Sequence, residues 1–588
     1  MGAGFGWWQD EAQLRHLARR LEAIKVGRRG YLALVAAAAA MGGYACGPAP
    51  QAQPPKEEQT DKPQPGEKLA KEQVLRTNTE RDPATHDFNK DLYNGGFANL
   101  FAGLTRFGPN FEVLPDIAER WESNADGSVW TFHIRKDSKW SNGDPVTAHD
   151  FDWSFKRQLD PKTAAPYAGF LYDLKNGEKV NRKQLDDVNA IGVKAKDDWT
   201  LVCEMEGPRA YWPVLTSYVA ALPAHRKSVE QYGDGWTDPG KAGEVVSNGP
   251  FKLTKWQHDK VYEVAKNPHY WMAKDVKLER IVVPVIGSAS SQLAYENNEI
   301  DWHFRVPLGE WRRIQSDPKL SKEVIKFDHV GTWYLEPNVD FKPFDDKRVR
   351  QAMAHAIDRE RLATAVLQGL ARPAYTFNPP GWWGYNPNIT KDNASVKYEG
   401  KDAIKYLRGS PYEGGKNWPK ITLSMREEGD MPKTAAAAII QMFKENLNMD
   451  IEHEIEEPRV FRDKLWEHKL QLVWIRWFMD YPDPNNQQFQ VFYSKFPTGA
   501  RHSWSNAEFD RLVAEAKGVP DQKKRAEMYW KADEIMLQDY AFIFAYYPLG
   551  VGLLKPWVKG LPKTKEGDWR PNWNIFVRMY DTMYILEH

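Results

Sequence analysis

From residue 74 onward, short stretches of strand-like alternation keep giving way to runs with helical spacing. This alternation constrains the fold more than any other feature of the chain. "VWTFHIR" (129–135), "WTLVCEM" (199–205), "VYEVAKN" (261–267) and "KITLSM" (420–425) read as strands, whereas 346–368 and 433–447 carry apolar residues at helical intervals. The pattern predicts a mixed α/β protein. A chain of 588 residues exceeds what one hydrophobic core serves, which predicts two or three lobes. Internal repeats and heptads are absent, so a solenoid or a coiled coil is excluded.

The N-terminal 73 residues have a different character. Residues 30–45, "GYLALVAAAAAMGGYA", carry no charge and follow Arg28-Arg29, the layout of an export signal with a basic start, an apolar middle and small residues at its end. Sixteen residues fall short of the roughly 20 needed to span a bilayer as a helix. "RRGYL" (28–32) resembles a twin-arginine signal. Cys46, directly after Ala45, resembles the lipidation site of bacterial lipoproteins, although Gly43 stands where such sites usually have Leu. An ordinary cleavage site is the alternative. Residues 46–73 are Pro-rich, charged and free of aromatic residues, so they predict a tether and no core. Upstream, Leu14, Leu17, Leu21 and Ile24 have helical spacing, which fits either a short membrane-surface helix or a start codon set too far upstream.

Charge gives no partner away. Basic and acidic residues number 80 each, and removing residues 1–45 leaves 74 and 77, so neither nucleic acid nor an anionic membrane surface is expected as the main partner. Acylation of Cys46 would leave Cys203 alone, in a strand-like context that predicts core packing and no disulfide. The motifs of phosphate loops, nucleophile elbows, zinc proteases and Cys-x-x-Cys metal sites are all missing, so no enzyme, cofactor or metal is expected. Aromatic residues are plentiful, with 25 Trp, 25 Tyr and 26 Phe, and loops such as "NPPGWWGYNPN" (378–388) suit the walls of a binding cleft.

Five ordered motifs then bring a family into view. They are "EVLPDIAERWESNADGSVWTFHIRKDSKWSNGDPVTAHDFDWSFK" (112–156), "VVSNGPFKLTKW" with "NPHYW" (245–271), "PFDDKRVRQAMAHAIDRERL" (343–362), "WFMDYPDP" (477–484) and "LLKPWVKGL" (553–561). Over roughly residues 74–588 the chain resembles the family-5 extracellular solute-binding proteins, the oligopeptide- and dipeptide-binding proteins of bacterial ABC importers. The resemblance implies a two-lobed periplasmic-binding-protein fold (type II, cluster C) with an extra inserted subdomain. It implies lobe I near 74–101, 221–330 and 556–588, the insertion near 102–220 and lobe II near 331–555. A monomer is implied too, without catalytic activity, tethered by lipid in the periplasm and handing its ligand to ABC permease subunits in the inner membrane.

One acid stands out. In "LQLVWIRWFMDYPDP" (470–484), Asp480 closes a strand-like apolar run and sits among aromatic residues, where a carboxylate loses hydration unless a cation replaces the water. The resemblance implies that Asp480 pairs with a peptide's α-ammonium and that the backbone of Trp477, Phe478 and Met479 runs beside an extended ligand. Asp483 and Pro484 read as a turn only. The resemblance further points to Tyr167, Trp333, Glu336, Thr85 and Asp87 as contacts. Alignment puts Trp474 and Leu465 where peptide-binding relatives hold the ligand carboxylate with arginines; Arg476 or Arg305 is the expected substitute, or longer peptides leave the cleft. The alternatives are a non-peptide ligand such as an oligosaccharide or chelate, a sensory lipoprotein without transport, and a surface enzyme.

The leader makes its own prediction. Detergent phase partitioning should send the wild type to the detergent phase and Cys46→Ser to the aqueous phase; two aqueous proteins would reject lipidation. Arg28-Arg29→Lys-Lys should block export if the twin-arginine route is used.

Overall fold

The computed structural model describes residues 66–91, 96–392, 396–426, 428–496, 498–563 and 580–588. Arg28, Arg29, Cys46 and most of the expected tether lie outside the described residues. The expected strands are present as Val129–Ile134, Thr200–Glu204, Val261–Lys266 and Thr422–Arg426, and the second expected helix as Asp430–Leu447. The first is shorter than expected. It runs from Lys347 to Ala356, capped by Asp346, whose carboxylate accepts from the Arg348 amide at 2.9 Å; after a break, Arg359–Arg361 and Leu362–Val366 continue the path.

Three sheets carry the molecule. One is four-stranded, in the order Val74–Arg76, Arg280–Pro284, Val261–Lys266, Phe251–Gln257, parallel at its first pair and antiparallel thereafter. A second, wholly antiparallel, is ordered Ala118–Ser123, Val129–Ile134, Thr200–Glu204, Val193–Asp197. The third has eight strands around the twelve-residue strand Ile543–Leu554. The early half of that strand pairs with Gly331–Pro337 and Ala371–Pro373, and its late half with Trp302–His303 and Val324–Asp328.

Apolar burial falls into two large cores. The first gathers Leu75, Phe101, Trp140, Phe155, Trp212, Tyr218, Ile281 and Met583, and Cys203 is buried in it; the second gathers Tyr334, Met353, Leu423, Ile439, Trp474, Tyr529 and Phe544. The chain passes between them at 330–333 and again along Ile543–Leu554, because Val330 and Leu554 belong to the first core and Trp333 and Phe544 to the second. Two mixed α/β lobes joined by such crossings are the fold of type II periplasmic binding proteins.

The segment after Leu472–Phe478 bridges the cores. Met479 and Tyr481 leave the eight-stranded sheet and bury their side chains in the first core, Tyr481 stacking on Tyr211 with ring centroids 6.2 Å apart. Asp483 does more than turn the chain. Its oxygens receive both terminal nitrogens of Arg525, on helix Gln522–Gln538, at 2.6 and 2.9 Å, and Oδ1 also accepts the Asn485 amide at 2.9 Å. Both partners are almost fully buried. Arg525→Ala should therefore strand a buried carboxylate and cost about 3–5 kcal/mol in urea unfolding. A loss under about 1 kcal/mol would show that the pair does not anchor this segment.

Candidate functional site

The strand Leu472–Phe478 is held differently on its two edges. Antiparallel pairing with Gly331–Pro337 continues through Gly331↔Phe478, while parallel pairing with Thr422–Arg426 comprises only Leu423↔Leu472 and Ser424↔Val473. Beyond Val473, no described strand pairs with that second edge. Gly331 permits the tight first edge, because a Cβ there would stand 2.6 Å from the Trp477 carbonyl oxygen and 2.1 Å from the Phe478 ring. Past the strand, the Met479 amide donates to the Val330 carbonyl at 2.9 Å. That amide, expected beside the ligand, is engaged within the protein.

Asp480 follows, half-buried, with both oxygens fixed. Tyr218 donates its hydroxyl to Oδ1 at 3.0 Å, and the Asn486 amide group donates to Oδ2 at 2.8 Å. Asn486 also accepts the Asp480 amide at 2.9 Å and the Trp477 indole at 3.4 Å, so one side chain clamps the backbone, the carboxylate and the neighbouring ring. Among the described residues, no Lys, Arg or His lies at ion-pair distance from Asp480. Burial pushes its carboxyl up to about 6, against the pull of the Asn486 and Tyr218 hydrogen bonds.

Other buried acids are treated differently. Asp173 sits among Arg209, Tyr211 and Lys517, the last at 3.1 Å; burial alone would raise its carboxyl, but the two cations hold it well below the ordinary carboxylate range. Asp87, an expected ligand contact, receives Arg157 at 2.6 and 3.0 Å, the Trp236 indole at 2.9 Å and the Asn89 amide at 3.0 Å. Four donors occupy its acceptor directions, which makes it a buried anchor and leaves nothing for a ligand. Thr85 caps the Asp87 amide at 3.0 Å and faces Thr237 at 3.4 Å.

The remaining expected contacts divide. Tyr167 starts an aromatic chain that leads to the donor of Asp480, its ring 5.6 Å from Phe170, which is 4.7 Å from Tyr218. Arg476 shares the strand face of Phe478, its guanidinium 4.7 Å from that ring and 5.8 Å from Trp333, with Glu428 at 2.8 Å. Burial pulls the Arg476 guanidinium down to about 10; Glu428 opposes this, and Arg426 and Arg305 add to it. Phe478 also meets His329, centroids 4.3 Å apart; burial, then Arg305 and Arg476, keeps that imidazole well below its ordinary value and neutral. Trp333 is buried between Trp474 and Tyr546. Glu336 is buried 2.5 Å from His502 and five residues from Gly331, about 17 Å along the strand from the Asp480 end. Arg305 is exposed, 3.9 Å from Glu80. Trp333 and Glu336 thus serve the second core, apart from Asp480.

Sequence reasoning missed Tyr218, Asn486 and Arg525. Asn486 carried a faint signal, being an amide just past the Asp-Pro turn, but Tyr218 is 262 positions from its partner in a segment without special pattern. Among the described residues, no group of three or more His, Cys, Asp or Glu could hold a metal ion, and no helix is long and apolar enough to cross a membrane.

The two-lobed α/β fold is that of a class of solute-binding proteins. The chain belongs to the bacterial extracellular solute-binding proteins, family 5, whose model matches residues 112–498. It is a solute-binding protein and not an enzyme. The oligopeptide-binding protein OppA of Bacillus subtilis is 33% identical over 468 residues, spanning 78% of this chain and 84% of its own. Haemophilus influenzae OppA in complex with the peptide RPPGFSPFR superposes with a TM-score of 0.72 at 28% identity, over 88% of this chain and 100% of its own. The Escherichia coli murein tripeptide binding protein MppA gives 0.74 at 27%, with the same coverage.

The raised carboxyl has a definite sign in stability. The native state binds an extra proton between pH about 4 and 6, so ionisation of Asp480 weakens the ligand-free fold as pH rises through that window. Asp480→Asn should melt higher than the wild type above pH 6, and the two should converge near pH 4. A pH-independent difference would contradict the burial of this group.

Proposed function

We propose that this protein is the extracytoplasmic receptor of an ABC importer and takes extended oligopeptides, with the ligand's α-ammonium at Asp480. The observation that carries this reading is the carboxylate itself: withdrawn from water, gripped by two neutral donors and short of positive charge, which an ammonium would supply with charge-assisted hydrogen bonds. The unpaired edge of the strand beyond Val473 supports it, since a peptide added there gains main-chain hydrogen bonds whatever its sequence. Arg476 stands four residues before Asp480, about 13–14 Å along an extended strand, and would meet a carboxylate or acidic side chain of a peptide of about four residues. Tyr167 would cover the ammonium end. The relatives that bind oligopeptides raise the same expectation from outside this chain.

The reading includes hinged closure of the two lobes about the crossings at 330–333 and 547–554, with the lobe and insertion boundaries expected above. It also includes lipid attachment at Cys46, export under Arg28-Arg29 and delivery to a membrane permease. The Trp pair of "NPPGWWGYNPN", whose rings could stack on a sugar, is engaged otherwise: Trp383 lies 5.4 Å from the Arg525 guanidinium, and Trp382 packs on the first core.

Asp480→Asn should cost roughly 1.5–3 kcal/mol of peptide affinity, the value of a charged hydrogen bond, which is about tenfold to more than a hundredfold in Kd. Acetylating the peptide's amine should cost the wild type as much and the variant little, because both changes remove one contact. Equal losses on acetylation in both proteins, read by calorimetry, would mean that Asp480 does not meet the amine.

A further inference from the structure

Tyr218 belongs to the first core, where its ring packs on Phe170 and lies 6.3 Å from Tyr481, and Asp480 lies two residues past the strand Leu472–Phe478, between Met479 and Tyr481, whose side chains enter that core. The 3.0 Å hydrogen bond between them joins residues 262 positions apart in the chain. Asn486, the other donor to Asp480, lies six residues on in the same segment. The two oxygens are thus held from two sides.

We infer that Tyr218 is a positioning residue for the ligand site: its hydroxyl fixes Asp480 Oδ1, so that with Asn486 on Oδ2 the carboxylate is oriented for a cationic ligand group before one arrives. The inference rests on the proposed role of Asp480 and deepens it. Each carboxylate oxygen has about two acceptor directions, and Tyr218 and Asn486 fill one on each, leaving room for an ammonium between the remaining pair. A carboxylate held by Asn486 alone would keep more rotational freedom and more water, and would bind an ammonium less firmly.

Groups around Asp480 leave the effect of the hydroxyl readable. Tyr218 and Tyr481 face it from the aromatic side, and burial raises the Tyr481 phenol well above its ordinary value, so that it stays neutral. Asp173 and Asp483 lie beyond Tyr481, each neutralised in place by Lys517 with Arg209 and by Arg525. Asn486 does not titrate.

Tyr218→Phe keeps the ring and removes the donor. In the ligand-free protein, melting is followed against pH with Asp480→Asn as the reference for each background, which isolates the titration of Asp480. The wild-type midpoint near pH 6 should move up by about one unit in Tyr218→Phe, the size expected when a carboxylate loses one good donor. Tyr211→Phe, which removes a hydroxyl from the same aromatic cluster but one bonded to Asp173, should leave the midpoint in place. An unmoved midpoint in Tyr218→Phe, or an equal shift in Tyr211→Phe, would overturn the inference. A second arm uses tetra-alanine and its N-acetyl form at pH 7.5: the free peptide should lose about three- to tenfold in affinity for Tyr218→Phe and the acetylated one should not change. Wild type that ignores acetylation would sink the proposed peptide reading while the ligand-free titration still judged Tyr218.

Discussion

A half-buried carboxylate without a cation beside it is the constraint around which the bridging segment is organised. Asp480 is held in the bridging segment because everything near it is fixed by other means: Gly331 admits the tight strand pair, Asn486 clamps backbone and side chain, and the Asp483–Arg525 ion pair pins the turn that follows. The fold supplies Arg or Lys to Asp87, Asp173 and Asp483 and withholds them from Asp480. Fully paired acids are structural anchors; under the proposed reading the incompletely paired Asp480 would take its missing positive charge from a ligand.

Contacts between the two cores explain how recognition would reach the whole molecule. Met479 and Tyr481 put apolar surface into the first core directly beside Asp480, and Lys517, following helix Ala507–Ala516, meets Asp173 and Arg209 from the other side. The Ala210 amide also donates to the Lys517 carbonyl at 3.0 Å. These contacts join the two cores, and a ligand that binds best to the joined arrangement would favour them.

Much of this was legible in the sequence, and the limits have physical causes. Alternating runs marked the strands correctly because period-two patterns survive wherever one face is buried, and the strand ending at Phe478 with its terminal acid was visible for that reason. Ordered motifs over most of the chain gave the family. What could not be read was pairing across distance: the four donors to Asp87, the 262-residue separation of Tyr218 from Asp480, and the burial of Glu336 against His502 all arise from tertiary contact. Asp483 was underestimated since a turn acid and a buried ion-pair acid look alike until the distant arginine is known.

Proton release on binding tests the central claim most directly. At pH 6 a peptide α-amine is already charged, so an ammonium that settles on Asp480 should lower the carboxyl below its free value near 6 and expel protons. Calorimetry of a free peptide in buffers of different ionisation enthalpy should show net release at pH 6, fading as the pH rises above 7 and absent in Asp480→Asn. Tight binding at pH 6 with no buffer dependence in the wild type would contradict the account.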